Sequence, residues 1–254
     1  SAAEIFYRLA NVVKPKTAII TAPTFSEYEQ ALSSVNCNIK HHFLLKENNF
    51  NLKDDILNDL DDNIDICILC NPNNPTGKII NTDLMNKIIK KCDENNIYLI
   101  IDECFLDFTG NEKEHSVLYN KSNNLIVIKA FTKIYALAGV RLGFCVSHNV
   151  NFINNLSYFG QPWNTSVIAQ QAGLAALKLN DYPKQIAQNI KILRDKLYLE
   201  LKNLNLTVFY GYANYLLFYT SDFNLHEKLL KHNILIRNCE NYIGLCKGYY
   251  RIAV

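Results

Sequence analysis

No apolar run in the chain approaches membrane-spanning length, and the opening residues, Ser1-Ala-Ala-Glu4, have neither the basic nor the apolar region of a secretory leader. Neither charge is in excess. The 26 Lys and Arg against 24 Asp and Glu leave a formal +2, with both signs interspersed, so there is no electrostatic footprint for nucleic acid. These absences set aside membrane and nucleic acid as partners. The six histidines form no ligand-spaced cluster, and His41-His42, adjacent in a strand, point to opposite faces. Neither a metal site nor a histidine-based triad is supported. No repeat or low-complexity tract interrupts the chain. It opens without an initiator methionine and closes at Val254 inside what reads as a strand, so parts of the parent protein are expected beyond both ends.

What is there is a large apolar complement. At 254 residues and 49% hydrophobic, the chain can bury a sizeable core as one domain or two lobes. Its eight cysteines sit mostly inside apolar runs of a chain too long to need staples, which predicts reduced thiols and a cytoplasmic protein. Cys67-Ile-Leu-Cys70 has redox spacing. Redox pairs usually open a helix, whereas these residues lie in a strand, and buried strand cysteines are the expectation.

Helical and extended signals alternate through the first 150 residues. Ile5 to Val13 reads as a helix, Thr17 to Ile20 as a strand, Ser26 to Ser33 as a helix and Ile39 to Leu45 as extended. Ile64 to Leu69 is an unbroken apolar strand, Thr82 can cap the next helix, and Ile97 to Ile101 is the strand after it. Continuous apolar strands between helices imply a mostly parallel sheet covered on both faces, an α/β fold whose ligands bind beyond the carboxyl ends of the strands. The pattern changes near Gln161-Pro-Trp163. A helix over Ile168 to Leu179 is predicted, then an interruption at Tyr182-Pro183, then a long helix with Ile186, Ile190, Leu193, Leu197 and Leu201 on one stripe. Strands over Leu206–Phe209, Tyr215–Tyr219, Ile234–Arg237 and Tyr249–Val254 flank a helix at Leu225–His232. The organisation read from this is a large α/β domain (1–155, its N-terminal part expected to be missing), a helical connector (156–183) and a small α+β lobe (184–254, expected to be truncated).

Three stretches carry chemistry. Lys129-Ala-Phe-Thr-Lys133 leaves an apolar strand, and Arg141 follows Lys133 by eight residues. A lysine at a strand's carboxyl end with an arginine nearby suits a cofactor that is both an aldehyde and a phosphate. In a partly dry pocket the amine loses its proton and condenses with the carbonyl, while the guanidinium grips the dianion with two hydrogen bonds. A snorkelling lysine beside a solvated arginine is the commoner meaning of such spacing alone. Second, Cys70-Asn-Pro-Asn-Asn74-Pro-Thr-Gly77 follows a strand. Elsewhere it would be a surface turn; here it stands where a parallel sheet presents its ligand site, and Asn74 can donate to a phenolate-like oxygen. Third, Asp102-Glu103 closes a buried strand. Asp102 can pair a pyridine nitrogen and keep it protonated, while Glu103 points the other way in a structural role.

Taken together, Asn-Pro-Thr-Gly, Asp102 with Phe105 three residues later, and Thr132-Lys133 with Arg141 resemble the aspartate-aminotransferase fold group of pyridoxal-phosphate enzymes. The branch it looks closest to holds the histidinol-phosphate aminotransferases and the threonine-phosphate decarboxylases of cobalamin biosynthesis. Gln161-Pro-Trp163, Gly211-Tyr-Ala-Asn214-Tyr215-Leu-Leu, Ile234-Leu-Ile-Arg237-Asn-Cys239, and Asn241-Tyr-x-Gly244 leading to Tyr249-Tyr250-Arg251-Ile-Ala-Val look like the decarboxylases. The resemblance implies pyridoxal 5'-phosphate as cofactor, a phosphorylated amino acid as substrate and a homodimer. It implies Lys133 as Schiff-base lysine and proton shuttle, Asp102 at the ring nitrogen, Asn74 at the ring hydroxyl and Phe25 stacked on the ring. Ala2 and Ala3, at a helix start, with Thr132 and Arg141, would form the phosphate cup. Arg251 would hold the substrate carboxylate, and Arg237 a second anion such as a phosphorylated side chain.

Three positions depart from the family pattern. Ala130 stands where a phosphate-binding serine is usual, Ser1 where a glycine is, and Phe105 where most aminotransferases carry a tyrosine that bonds the ring hydroxyl. The function implied is decarboxylation of L-threonine O-phosphate to (R)-1-amino-2-propanol O-phosphate. A histidinol-phosphate-type aminotransferase and a non-catalytic cofactor-binding module stay open beside it.

Overall fold

The computed structural model describes residues 1–254. The chain opens on α1 (Ala2–Val13) and passes through β1 (Thr17–Ala22), α2 (Glu27–Ser33), β2 (Asn38–Phe43), α3 (Ile56–Asp59), β3 (Ile66–Cys70), α4 (Thr82–Glu94), β4 (Tyr98–Asp102), α5 (Glu112–His115), β5 (Leu125–Ala130) and β6 (Gly143–Val146). Helices α6 (Val150–Tyr158), α7 (Val167–Leu177) and α8 (Tyr182–Asn203) follow, then β7 (Thr207–Phe209), β8 (Tyr215–Tyr219), α9 (Leu225–Leu230), β9 (Arg237–Asn238) and β10 (Tyr249–Ala253).

Two sheets organise these elements. The larger runs β2-β1-β3-β4-β5-β6, parallel from β2 to β5, with β6 antiparallel on the edge. Its central strands are buried on both faces because successive side chains feed different layers. Ile19, Cys67, Leu69, Leu99, Ile101 and Val127 join α4 in one core. Ala18, Ile20, Ile66, Ile68, Cys70, Ile100 and Ile126 join α1, α2 and α6 in the other. Cys67 and Cys70 therefore belong to opposite layers, and all eight cysteines are free thiols. His41 and His42 also diverge, toward Glu29 and Asp59 respectively. The smaller, antiparallel sheet has the order β7-β8-β10-β9. No helix is long and apolar enough to cross a membrane.

Some local expectations change. Asn81, rather than Thr82, caps α4, its Oδ1 accepting from the N–H groups of Asp83 and Leu84. Asparagine one position earlier takes the cap because its side-chain oxygen reaches those donors. Pro183 does not interrupt a helix. It sits in the first turn of α8, where a missing N–H leaves no bond unmade. Leu193 of the predicted stripe is exposed. The strand predicted over Ile234–Arg237 shrinks to Arg237–Asn238, since only these residues meet partners on β10.

The two sheets meet through backbone contact. The Tyr212 N–H donates to the Gly77 carbonyl at 2.7 Å, and a Cβ on Gly211 would lie 2.8 Å from the Gly77 Cα. Glycine on both sides lets the Asn-Pro loop touch the chain entering β8 without side chains between them.

Candidate active site

The strand order reverses direction between β1 and β3, and a sheet of this kind opens a crevice beyond the carboxyl ends of its strands at that point. A cleft of about 830 Å³ lies there. Each strand end delivers a side chain to it: Phe25 after β1, Asn74 after β3, Asp102 at the end of β4, and Thr132, Lys133 and Arg141 after β5. The start of α1 adds Ala2 and Ala3, and the small sheet adds Arg237 and Arg251. All ten residues singled out from sequence thus line one cleft.

The Asn-Pro loop is no surface turn. Asn71, Asn73, Asn74 and Thr76 are buried, and the amide of Asn73 donates to the Pro23 carbonyl at 2.9 Å while its oxygen accepts from Thr24 Oγ1 at 2.8 Å. Tyr215 closes the loop from the small sheet by donating its hydroxyl to the Asn73 carbonyl at 3.0 Å. Asn74 is oriented by two donors on its Oδ1, Arg251 Nη1 and the Tyr242 hydroxyl, the latter at 3.4 Å. Its Nδ2 is left as a donor.

Asp102 is 5% exposed, and each carboxylate oxygen is engaged. The Cys104 N–H donates to Oδ1 at 2.9 Å, and the Tyr28 hydroxyl donates to Oδ2 at 2.6 Å. Burial, and then the negative charge of Asp102, push the Tyr28 hydroxyl well above the ordinary tyrosine range, so it stays a donor. Glu103 turns to the opposite side, where it accepts from Ser116 Oγ at 2.7 Å and the Val117 N–H at 2.8 Å.

At the other wall, Ser1 makes no side-chain cap on α1, and the first intrahelical bond runs from the Ile5 N–H to the Ser1 carbonyl. The N–H groups of the first turn have no helical partner. A Cβ on Gly143 would fall 2.8 Å from the Ala2 nitrogen, so only glycine lets β6 pass against this helix start. Lys133 sits in a turn, not a strand, with Nζ 5.1 Å from the Phe105 ring centroid. Its side chain is exposed rather than partly dry, because the cleft is open above it. Arg141 has φ 59° and donates through Nη1 to the Ala138 carbonyl at 2.9 Å.

Arg251 and Arg237 are register partners on β10 and β9. The Arg251 guanidinium lies 4.9 Å from the Tyr215 ring centroid, and that of Arg237 lies 5.5 Å from the Tyr242 ring centroid. Two like charges directly opposite each other repel. An arrangement that keeps both is suited to a ligand bearing two anionic groups.

Tyr28, Tyr215 and Tyr242 were not foreseen as site residues. In sequence Tyr28 lies in a helix and Tyr215 in a strand, where an aromatic reads as core, and Tyr242 lies in a loop; their bonds to Asp102, Asn73 and Asn74 span 74, 142 and 168 positions.

This donor set fits an aldehyde-bearing pyridine with a phosphate arm. It has uncapped helix N–H groups with a hydroxyl and a guanidinium, an amide donor, a buried fixed carboxylate, an amine and an aromatic face. Sheet, lobe and cleft together define a pyridoxal-phosphate enzyme of the aspartate-aminotransferase fold. The chain belongs to the aminotransferase class I and II family, whose description matches residues 1–254. It is 35% identical to the threonine-phosphate decarboxylase of Salmonella typhimurium, over 99% of this chain and 70% of that protein. It is 30% identical to the histidinol-phosphate aminotransferase of Methanosphaera stadtmanae, over 99% of this chain and 69% of that protein. The solved histidinol-phosphate aminotransferase of Clostridium acetobutylicum superposes with a TM-score of 0.90 at 28% identity, covering 100% of this chain and 76% of that one. The family's cofactor is pyridoxal 5'-phosphate.

Proposed function

We propose that the protein decarboxylates L-threonine O-phosphate to (R)-1-amino-2-propanol O-phosphate. The observation that carries this is the pairing of Arg251 with Arg237 in the cleft that holds Lys133, one guanidinium for a carboxylate and one for a phosphate. The similarity to a threonine-phosphate decarboxylase supports it.

Ala2, Ala3, Thr132 and Arg141 would hold the cofactor phosphate, Phe25 would cover the ring, Asn74 would donate to the ring hydroxyl and Asp102 would pair the ring nitrogen. When bound, pyridoxal phosphate supplies an aldehyde for the substrate amine and a protonated ring that accepts electrons released at the α-carbon. Arg251 orients the substrate carboxylate and so determines whether carbon dioxide or a proton leaves that carbon. Arg237 grips the side-chain phosphate. Lys133 would supply the amine that holds the aldehyde, and its Nζ is the group that would move a proton at the substrate α-carbon. Phe105 cannot donate to the ring hydroxyl, which leaves Asn74 as the donor there and disfavours ordinary transamination. A homodimer is expected from the resemblance, and pairing would have exposed apolar side chains such as Tyr158, Trp163 and Ile168 to cover.

The test is incubation with pyridoxal phosphate and L-threonine O-phosphate. Carbon dioxide and the amino alcohol phosphate are expected, and Lys133→Ala is expected to abolish both. Formation of a keto acid with an amino acceptor would overturn this reading. It would instead favour an aminotransferase acting on histidinol phosphate, the activity named for the solved structure with a TM-score of 0.90. A chain that develops no visible absorbance with the cofactor would be a non-catalytic module.

A further inference from the structure

The two oxygens of Asp102 are held from different parts of the chain. Oδ1 is bonded locally, by the Cys104 N–H two residues on, a contact any residue at position 104 except proline could make. Oδ2 is bonded by the Tyr28 hydroxyl from α2, a side chain with no exposure at all. Tyr28 is itself fixed. Its ring packs edge-on against Phe6 of α1, with centroids 4.6 Å apart, and against Phe25, with centroids 5.6 Å apart. One tyrosine thus touches the helix that starts the phosphate cup, the aromatic that covers the ring and the carboxylate that meets the ring nitrogen. A phenol buried only for packing would leave its hydroxyl at a cost of a few kcal/mol unless it found a partner. Phenylalanine would fill the same volume without that demand.

We propose that Tyr28 is a positioning residue for Asp102, its hydroxyl fixing the carboxylate in the orientation that meets the pyridine nitrogen. This rests on the cofactor placement proposed above. In this role the tyrosine acts through the carboxylate. The other titratable groups around the pair are Cys70, Cys104, Tyr215 and Lys133. Burial raises both thiols, so they remain neutral near neutral pH, and Lys133 is the one cation among them.

The experiment compares Tyr28→Phe with the parent chain, each in the presence of Asp102 and of Asp102→Asn, and uses pyridoxal 5'-phosphate alone. The readouts are cofactor affinity, by fluorescence quenching, and the pH titration of the bound cofactor's visible band. With Asp102 present, loss of a hydrogen bond to a charged group predicts affinity weaker by about tenfold and a titration midpoint moved by about half a pH unit or more. With Asp102→Asn, Tyr28→Phe should change neither. An unchanged titration with Asp102 present, or an equal change without it, overturns the proposal. If the parent chain develops no visible band, the cofactor placement fails and this inference fails with it. A parent that binds and titrates beside an indistinguishable variant sinks this inference alone. Should Tyr28→Phe melt at room temperature, 3-fluorotyrosine at position 28, a stronger donor of nearly the same shape, must move the midpoint only when Asp102 is present.

Discussion

Arg251 and Asn74, 177 positions apart, meet side chain to side chain: the guanidinium donates through Nη1 to the amide Oδ1. The contact joins the group proposed for the substrate carboxylate to the group proposed for the cofactor hydroxyl. Asn74→Ala should therefore do two things at once. It removes a cofactor donor, weakening cofactor binding by about tenfold, and it releases Arg251, raising the KM for a carboxylate substrate by a similar factor. Arg251→Lys should raise KM through loss of the planar fork. The double variant should fall short of the summed effects by about 1 kcal/mol. Cofactor titrations and steady-state kinetics on the four proteins check this, and strict additivity would show that the contact orients neither group.

A second prediction concerns the joint between the sheets. A Cβ on Gly211 would lie 2.8 Å from the Gly77 Cα and 2.9 Å from its carbonyl oxygen, both backbone atoms held by the Asn-Pro loop. Backbone yields less readily than the end of a side chain, so Gly211→Ala should cost about 1–3 kcal/mol. Gly139→Ala is the control, since nothing lies within 4 Å of the added carbon. Its effect should stay within about 0.5 kcal/mol. Denaturant titration of the two variants decides. Equal midpoints would mean that the joint opens freely.

Lys129 carries a third. It lies within β5 at 7% exposure, and its ammonium meets Asp107 Oδ1 at 3.1 Å and Glu112 Oε1. Burial works against the charge, but Asp107 and Glu112 outweigh it and hold the ammonium above the ordinary lysine range. Lys129→Met would leave Asp107 without its cation in a half-closed setting. Removing one partner of a buried pair costs about 3–5 kcal/mol. Because the Glu112 side chain is 45% exposed and partly hydrated, the expected loss is nearer about 2–3 kcal/mol. Lys129→Arg should recover most of it. Thermal melts that leave Lys129→Met level with Lys129→Arg would remove the triad as a source of stability.

The sequence was most readable where local chemistry repeats a physical rule. Continuous apolar runs such as Ile66–Leu69 announced a doubly covered sheet, and Asn74, Asp102 and Lys133 could be placed because each follows such a run. Ligand chemistry gathers at the ends of parallel strands. Illegible were contacts that only folding brings together. Tyr28 reads as one more apolar position of α2, and nothing near it in sequence points to a carboxylate beyond β4. Lys129 reads as the first polar residue beyond the strand until Asp107 and Glu112 come round to it. The exposure of Lys133 was also beyond reach, since whether a cleft is open or closed depends on how both sheets pack. The cap of α4 and the start of α8 were missed by a residue or two, the ordinary blur of helix ends.

Glu103 supplies the last prediction, one of pH. It is fully buried, and although Ser116 and the Val117 N–H bond its carboxylate, burial is the larger influence and raises its pKa above the ordinary 4.5. A carboxyl with a raised folded-state pKa binds its proton more tightly in the native protein than in the unfolded chain. The stability this contributes is complete below the unfolded-state value and is lost as pH climbs through the folded-state value. Above that value Glu103 is ionised in both states, and its burial penalty is constant. Glu103→Gln keeps the shape and never ionises, so its stability should lack this component of the pH slope. The gap between the two proteins should therefore move in favour of Glu103→Gln as pH rises from 4.5, then level off once the native carboxyl has ionised. Urea unfolding across that range measures it. Parallel curves, or a gap moving toward the parent protein, would mean that the Ser116 and Val117 hydrogen bonds outweigh burial and that Glu103 is ionised without penalty.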